Sequence, residues 1–180
     1  RTKAVQTGLN GEFIVSPRLD DLQCVFGCLE GFLAAKPGGS LPVLAVFNNE
    51  EVGSSTRQGA DSTFLTDVLE RIAHGCGLDS EAWKAAVANS FMVSADNAHA
   101  IHPAHPEYAD KGEFPVLGGG IVIKYNANQR YTTDAVSGAV FQAICQEAGV
   151  PVQRYSNRAD LPGGSTLGNI STAHLSVPTV

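Results

Sequence analysis

Apolar residues follow two spacings along the chain, and the spacing changes at loop signals. Leu22, Val25, Phe26, Leu29, Phe32 and Leu33 recur every three or four positions, which predicts a helix until Pro37-Gly38-Gly39 stops it. Phe64, Leu65, Val68, Leu69 and Ile72 form a second stripe, in a helix from about Asp61 to His74-Gly75. A weaker helix covers residues 81–88. A fourth carries Val136, Val140, Ile144 and Cys145, with Thr133 as its expected N-cap and Gly149 as its stop. Short runs at 12–15, 42–47, 90–94, 121–125 and 150–155 read as strands, and 177–180 is strand-like. The wholly apolar 42–47 run is the pattern of a strand buried on both faces of a parallel sheet. Strands alternating with helices, with no internal repeat or linker, predict an α/β fold: a mostly parallel mixed sheet flanked by helices, in one domain.

Composition narrows the partners. With 43% hydrophobic and 17% charged residues, the 180-residue chain has the make-up of an ordered globular protein. Its formal charge of -6 comes without any basic run, so nucleic acid and anionic membrane are not expected partners. The longest apolar stretches are too short to cross a bilayer, and the Arg1-Thr2-Lys3 start has no apolar leader segment, so a cytoplasmic location is expected. Cys24, Cys28, Cys76 and Cys145 show no Cys-x-x-Cys spacing and fall in apolar helical patterns, as buried free thiols do.

Candidate chemistry gathers where the expected strands end. In open α/β sheets ligands bind beyond the carboxyl ends of strands, and three such ends here carry carboxylates: Asp20, the Glu50-Glu51 pair, and Asp96. Adjacent glutamates repel unless a cation or proton lies between them. A dinuclear metal site would relieve that repulsion, with one carboxylate ligating and its neighbour free as a general base; a solvated acidic turn is the alternative. Carboxylates joined by a few imidazoles suit zinc, manganese or cobalt. His99 and His102 follow Asp96 at three-residue intervals and could ligate, orient or contact substrate. His105 reads as surface, and His74 as a helix-terminal residue beside the last carbonyls. The glycine-rich segment 160–168 lacks the spacing of a phosphate-binding loop.

These motifs carry a resemblance. Ser-Pro-Arg-Leu-Asp-Asp-Leu at 16–22, Asn-Asn-Glu-Glu-Val-Gly-Ser at 48–54 and Ser-Ala-Asp-Asn-Ala-His-Ala at 94–100 occur in the order found in the aspartyl aminopeptidase family. Gly-Gly-Gly-Ile-Val-Ile-Lys-Tyr-Asn at 118–126 and Gly-Gly-Ser-Thr-Leu-Gly at 163–168 extend the likeness over essentially the whole chain. The resemblance implies a zinc-dependent exopeptidase-like fold and a cytosolic enzyme with two zinc ions that removes N-terminal Asp or Glu from peptides by metal-activated water. It implies that Asp20 bridges the metals, that Glu51 and Asp96 each hold one, and that Glu50 is the catalytic base. Lys124 and the loop residues Gly164, Ser165 and Thr166 would face substrate, with His99 and His102 lining the site. It implies, finally, a homo-oligomer, the dodecamer of the family it resembles.

The resemblance also implies ligands outside these 180 residues: a histidine in an earlier segment and another nearer the carboxyl end, with an inserted oligomerisation domain between the first histidine and Asp20. The expectation is therefore a partial catalytic domain over 1–180, inactive by itself. Within the enzyme class the alternative is another dinuclear exopeptidase or deacylase. Outside it, the alternative is a catalytically silent structural fragment.

Overall fold

The computed structural model describes residues 2–36 and 38–180. Arg1 and the helix stop at Pro37 lie outside the described residues. The chain divides into two compact units, residues 1–46 with 95–97, and residues 47–94 with 98–180.

The first unit opens with an antiparallel pair, β1 (Val5–Thr7) and β2 (Phe13–Val15), in register Val5↔Val15 and Thr7↔Phe13. β2 lies in the expected 12–15 run, whereas β1 has too few apolar positions to signal itself. The long helix α1 (Leu19–Ala34) follows. Its apolar stripe forms as the spacing predicts, yet none of its residues is buried.

The second unit contains α2 (Phe64–Gly75), α3 (Ser80–Ala88), β3 (Ile121–Tyr125), α4 (Ala135–Glu147), β4 (Val152–Ser156) and α5 (Leu167–Ser171). β3 and β4 pair in parallel, from Ile121↔Val152 to Tyr125↔Ser156, with α4 as the crossover between them. Gly120, at φ 106, starts this pair, and a Cβ there would lie 2.1 Å from the Pro151 carbonyl oxygen, so only glycine lets the strands close to hydrogen-bonding distance. The expected strands at 90–94 and 177–180 also meet in parallel: Met92 N–H donates to Pro178 O, Ser94 N–H to Val180 O, and Val180 N–H back to Met92 O. Ile123, Cys145, Tyr155, Tyr131, Leu175 and Val177 are buried. The chain has an α/β fold.

Three local expectations are corrected. The 42–47 run forms no ladder among the described residues and is largely exposed, with Leu41 at 74% just before it. An apolar run states that burial would be favourable, but a strand exists only where a partner backbone accepts its hydrogen bonds. The cap of α4 is Asp134, not Thr133: its carboxylate accepts the N–H groups of Val136 (2.8 Å) and Ser137 (2.7 Å), while Ser137 Oγ accepts Asp134 N–H at 3.0 Å. Cys76 caps the end of α2 and is exposed, whereas Cys145 is buried and Cys24 and Cys28 are half-buried; all four are free thiols. No described helix is long and apolar enough to cross a membrane.

Candidate metal centre

The start of α1 departs from helical geometry where the sequence turns acidic. Arg18 takes a left-handed conformation (φ 64), Asp20 sits at φ -85 and ψ 109, and the Asp20-Asp21 peptide is cis. Asp20 and Asp21 there meet Asp96, which belongs to the same unit, and one carboxylate oxygen of each lies within 4.8 Å of the others. Asp20 is exposed, and Asp21 and Asp96 are half-buried. Asp20 and Asp96 were both expected as ligands. Asp21 was not, although the like-charge argument applied to Glu50-Glu51 holds equally for Asp20-Asp21 and would have found it.

Two neighbours hold this cluster. The Asn97 amide nitrogen donates to Leu19 O at 2.9 Å, and its amide oxygen accepts the Cys24 thiol at 2.8 Å. Burial pushes the Asp21 carboxyl above the ordinary aspartate range; contact with the Cys24 thiol opposes this, and the charges of Asp96 and Asp20 add to the rise. Burial, reinforced by the Asp21 charge, pushes the Cys24 thiol up to about 12, and Cys28 rises for the same two reasons. Asp21 Oδ1 is sealed from solvent and accepts no hydrogen bond. A buried orphaned carboxylate oxygen beside two further carboxylates is an arrangement that a divalent cation completes. The donor set therefore fits a metal ion.

The second unit presents the glutamate pair on a constrained turn. Asn49 and Ser54 have positive φ (61 and 62) on either side of half-buried Glu50 and exposed Glu51. Gly53 N–H donates to Glu50 O at 2.8 Å and Ser54 N–H to Asn49 O at 2.9 Å, while Asn48 N–H reaches Gln58 O at 2.9 Å. Ser54 is fully buried, and a Cβ on Gly59 would lie 1.9 Å from its carbonyl oxygen. The turn is thus tightly packed where Ser54 meets Gly59.

In the same unit an aromatic relay joins two of the expected substrate residues. The Lys124 ammonium lies 5.7 Å from the Tyr131 ring centre; Tyr131 and Tyr155 rings are 6.1 Å apart; His99 meets Tyr155 edge-on at 5.2 Å. Both tyrosines are buried, and burial raises the Tyr155 phenol above its ordinary range. Neither tyrosine stood out in the sequence, because isolated aromatics carry no signal of the partners that folding brings to them. His102 instead belongs to an exposed stack, 5.3 Å from His105, which in turn lies over Tyr108 at 5.4 Å. Gly164 is exposed, Ser165 half-buried, and buried Thr166 directly precedes α5, a helix not expected in the glycine-rich segment. Gly168 N–H donates to Ser94 Oγ at 2.8 Å, which fixes that loop to the end of the 90–94 strand.

The aminopeptidase I zinc metalloprotease (M18) family model matches residues 1–180. The chain belongs to the M18 family. A probable M18 family aminopeptidase 2 of Clostridium acetobutylicum is 49% identical over 173 residues, covering 96% of this chain and 40% of that relative. An M18 aminopeptidase structure from Thermotoga maritima superposes with a TM-score of 0.87 at 25% identity, covering 99% of this chain and 41% of that one. The mApe1 dodecamer of S. cerevisiae gives 0.78 at 28% identity, covering 99% and 40%. The chain thus spans about two-fifths of the length of the M18 relatives it matches.

Proposed function

We propose that the intact protein is a cytoplasmic zinc aminopeptidase that removes N-terminal Asp or Glu from peptides, and that these 180 residues are the central part of its catalytic domain. The observation that carries the reading is the grouping of Asp20, Asp21 and Asp96, one oxygen of each within 4.8 Å of the others, together with a buried Asp21 oxygen that has no hydrogen-bond partner, in a chain of a zinc metalloprotease family. Asp20 and Asp96, with Asp21 beside them, would hold zinc, and the motif at 48–54 assigns Glu51 as a zinc ligand. Bound zinc supplies a water nucleophile at neutral pH and polarises the carbonyl under attack.

The remaining steps belong to side chains. Glu50 takes the proton of the attacking water and returns it to the leaving amine. The ammonium of half-buried Lys124, beside the Tyr131 ring, pairs with the side-chain carboxylate of the first residue. His99, aligned by Tyr155, and His102 contact the peptide, and the Gly164, Ser165 and Thr166 loop contributes backbone donors. A homo-oligomer accords with the dodecamer of the yeast relative.

Aspartyl- and leucyl-anilide hydrolysis by the intact protein tests this reading, before and after chelation and with zinc restored. Loss on chelation, recovery with zinc and a strong preference for the aspartyl substrate support it. Undiminished turnover after complete metal removal refutes it, and equal cleavage of the two substrates replaces the acidic preference with a broad one.

A further inference from the structure

The Asn97 amide spans the two backbone segments that bring Asp20 and Asp96 together. It follows Asp96 directly, and its nitrogen donates to the carbonyl of Leu19, the residue directly before Asp20, at 2.9 Å. Its oxygen accepts the thiol of Cys24 at 2.8 Å, one turn into α1. The two contacts have opposite polarity, so they admit one amide orientation: a flipped amide would set its oxygen against the Leu19 carbonyl. Leucine fills similar volume but makes neither bond, and aspartate loses the donor.

We propose that Asn97 is a positioning residue for the metal centre, clamping Leu19 and Cys24 so that the Asp20 and Asp96 carboxylates stay at ligating separation. Asn97 touches neither metal nor substrate in this role. The clamp opposes the mutual repulsion of three carboxylates, which is greatest while the site holds no cation. Without it the acidic segments relax apart, and binding must first reassemble them. Residues that orient ligands in this way are worth about 10- to 100-fold in metal affinity. Cys24 acts as the second jaw: its thiol donates to the Asn97 oxygen and also contacts the Asp21 carboxyl, and what it must supply is a hydrogen-bond donor.

This inference rests on the reading that the carboxylates hold zinc, and the test separates the two. Zinc affinity of the intact protein is measured by competition with a chromophoric chelator, alongside thermal unfolding of the metal-free form. Asn97→Leu is expected to weaken zinc binding about tenfold or more. Cys24→Ala should weaken it less, Cys24→Ser, which keeps a donor, should stay near wild type, and the Asn97→Leu/Cys24→Ala pair should cost less than the sum of its parts. If Asn97→Leu fails to fold, Asn97→Ala decides together with the Cys24 pair: weaker zinc binding in Asn97→Ala, with loss in Cys24→Ala and recovery in Cys24→Ser, supports the clamp, and zinc affinity unchanged in Asn97→Ala overturns it. Unchanged zinc affinity in a folded Asn97→Leu protein, with only its metal-free unfolding temperature lowered, makes Asn97 a fold residue and overturns the proposal. Wild-type protein that binds no zinc refutes the functional reading itself, and the clamp with it.

Discussion

His174 Nε2 lies 3.1 Å from Oδ1 of Asp61, although 113 residues separate them, and the other Asp61 oxygen accepts the Ser55 hydroxyl at 3.1 Å. Thr66 Oγ donates to the carbonyl of the same His174 at 3.2 Å. Asp61 therefore ties the turn after Glu50-Glu51 to the segment that follows α5. The His174 hydrogen bond, aided by that of Ser55, holds the Asp61 carboxyl below the ordinary aspartate range.

The sign of the linked stability follows. A carboxyl depressed in the folded state contributes stability that is present above its ordinary value of 3.8 and is lost as pH falls through the lower folded value. Acid unfolding of Asp61→Asn should be less steep than wild type in the window from 3.8 down to the lower folded value, as followed by circular dichroism. Identical pH dependence in the two proteins would show that the contact contributes nothing in solution.

Gly59 offers a test of the turn itself. An alanine Cβ there would lie 1.9 Å from the Ser54 carbonyl oxygen, a backbone atom that cannot rotate away. Overpacking of this kind costs about 1–3 kcal/mol. At roughly 2–4 °C per kcal/mol for a chain of this size, Gly59→Ala should unfold several degrees below wild type. Since the displaced carbonyl belongs to the Glu50-Glu51 turn, activity should fall at temperatures where the variant is still fully folded.

Helices were legible because their apolar positions repeat every 3.6 residues, a period that Leu22 to Leu33 and Phe64 to Ile72 state without knowing their neighbours. Pairing was not. Val5, Gln6 and Thr7 become β1 only because β2 supplies a ladder, and 42–47 fails to become a strand for want of one. At the site, Asp20 and Asp96 could be named from their place after strand-like runs. Asp21 was open to the like-charge argument, whereas Asn97, Tyr131 and Tyr155 act through contacts between distant segments, such as Asn97 with Leu19, that no local spacing encodes. The choice of Asp134 over Thr133 as a cap was decided by one residue of backbone geometry.

The glutamate pair should divide its labour. In the intact protein Glu50→Gln should lower kcat by about 10²- to 10⁴-fold, the usual contribution of a general base, with zinc content unchanged. Glu51→Gln should lower zinc content, measured by atomic absorption on extensively dialysed protein, and added zinc should restore part of its turnover. Metal loss in Glu50→Gln with retention in Glu51→Gln would reverse the two assignments.

Substrate charge should be read by Lys124. Lys124 is half-buried on β3 with its ammonium near the Tyr131 ring, so an acidic side chain placed against it forms a charge-assisted hydrogen bond. Such bonds contribute about 1.5–3 kcal/mol, or roughly 10- to 100-fold in kcat/KM. Lys124→Met, similar in length and without charge, should lose that factor on aspartyl substrates and little or nothing on leucyl substrates, so that the preference collapses while zinc content is unchanged. Lys124→Arg keeps the charge but replaces a compact donor with a planar fork, so it should restore only part of the preference. A parallel fall on both substrates would mean that Lys124 supports the Tyr131 and Tyr155 packing and that the acidic residue is recognised elsewhere. A fall confined to the aspartyl substrate assigns the specificity to this one ammonium.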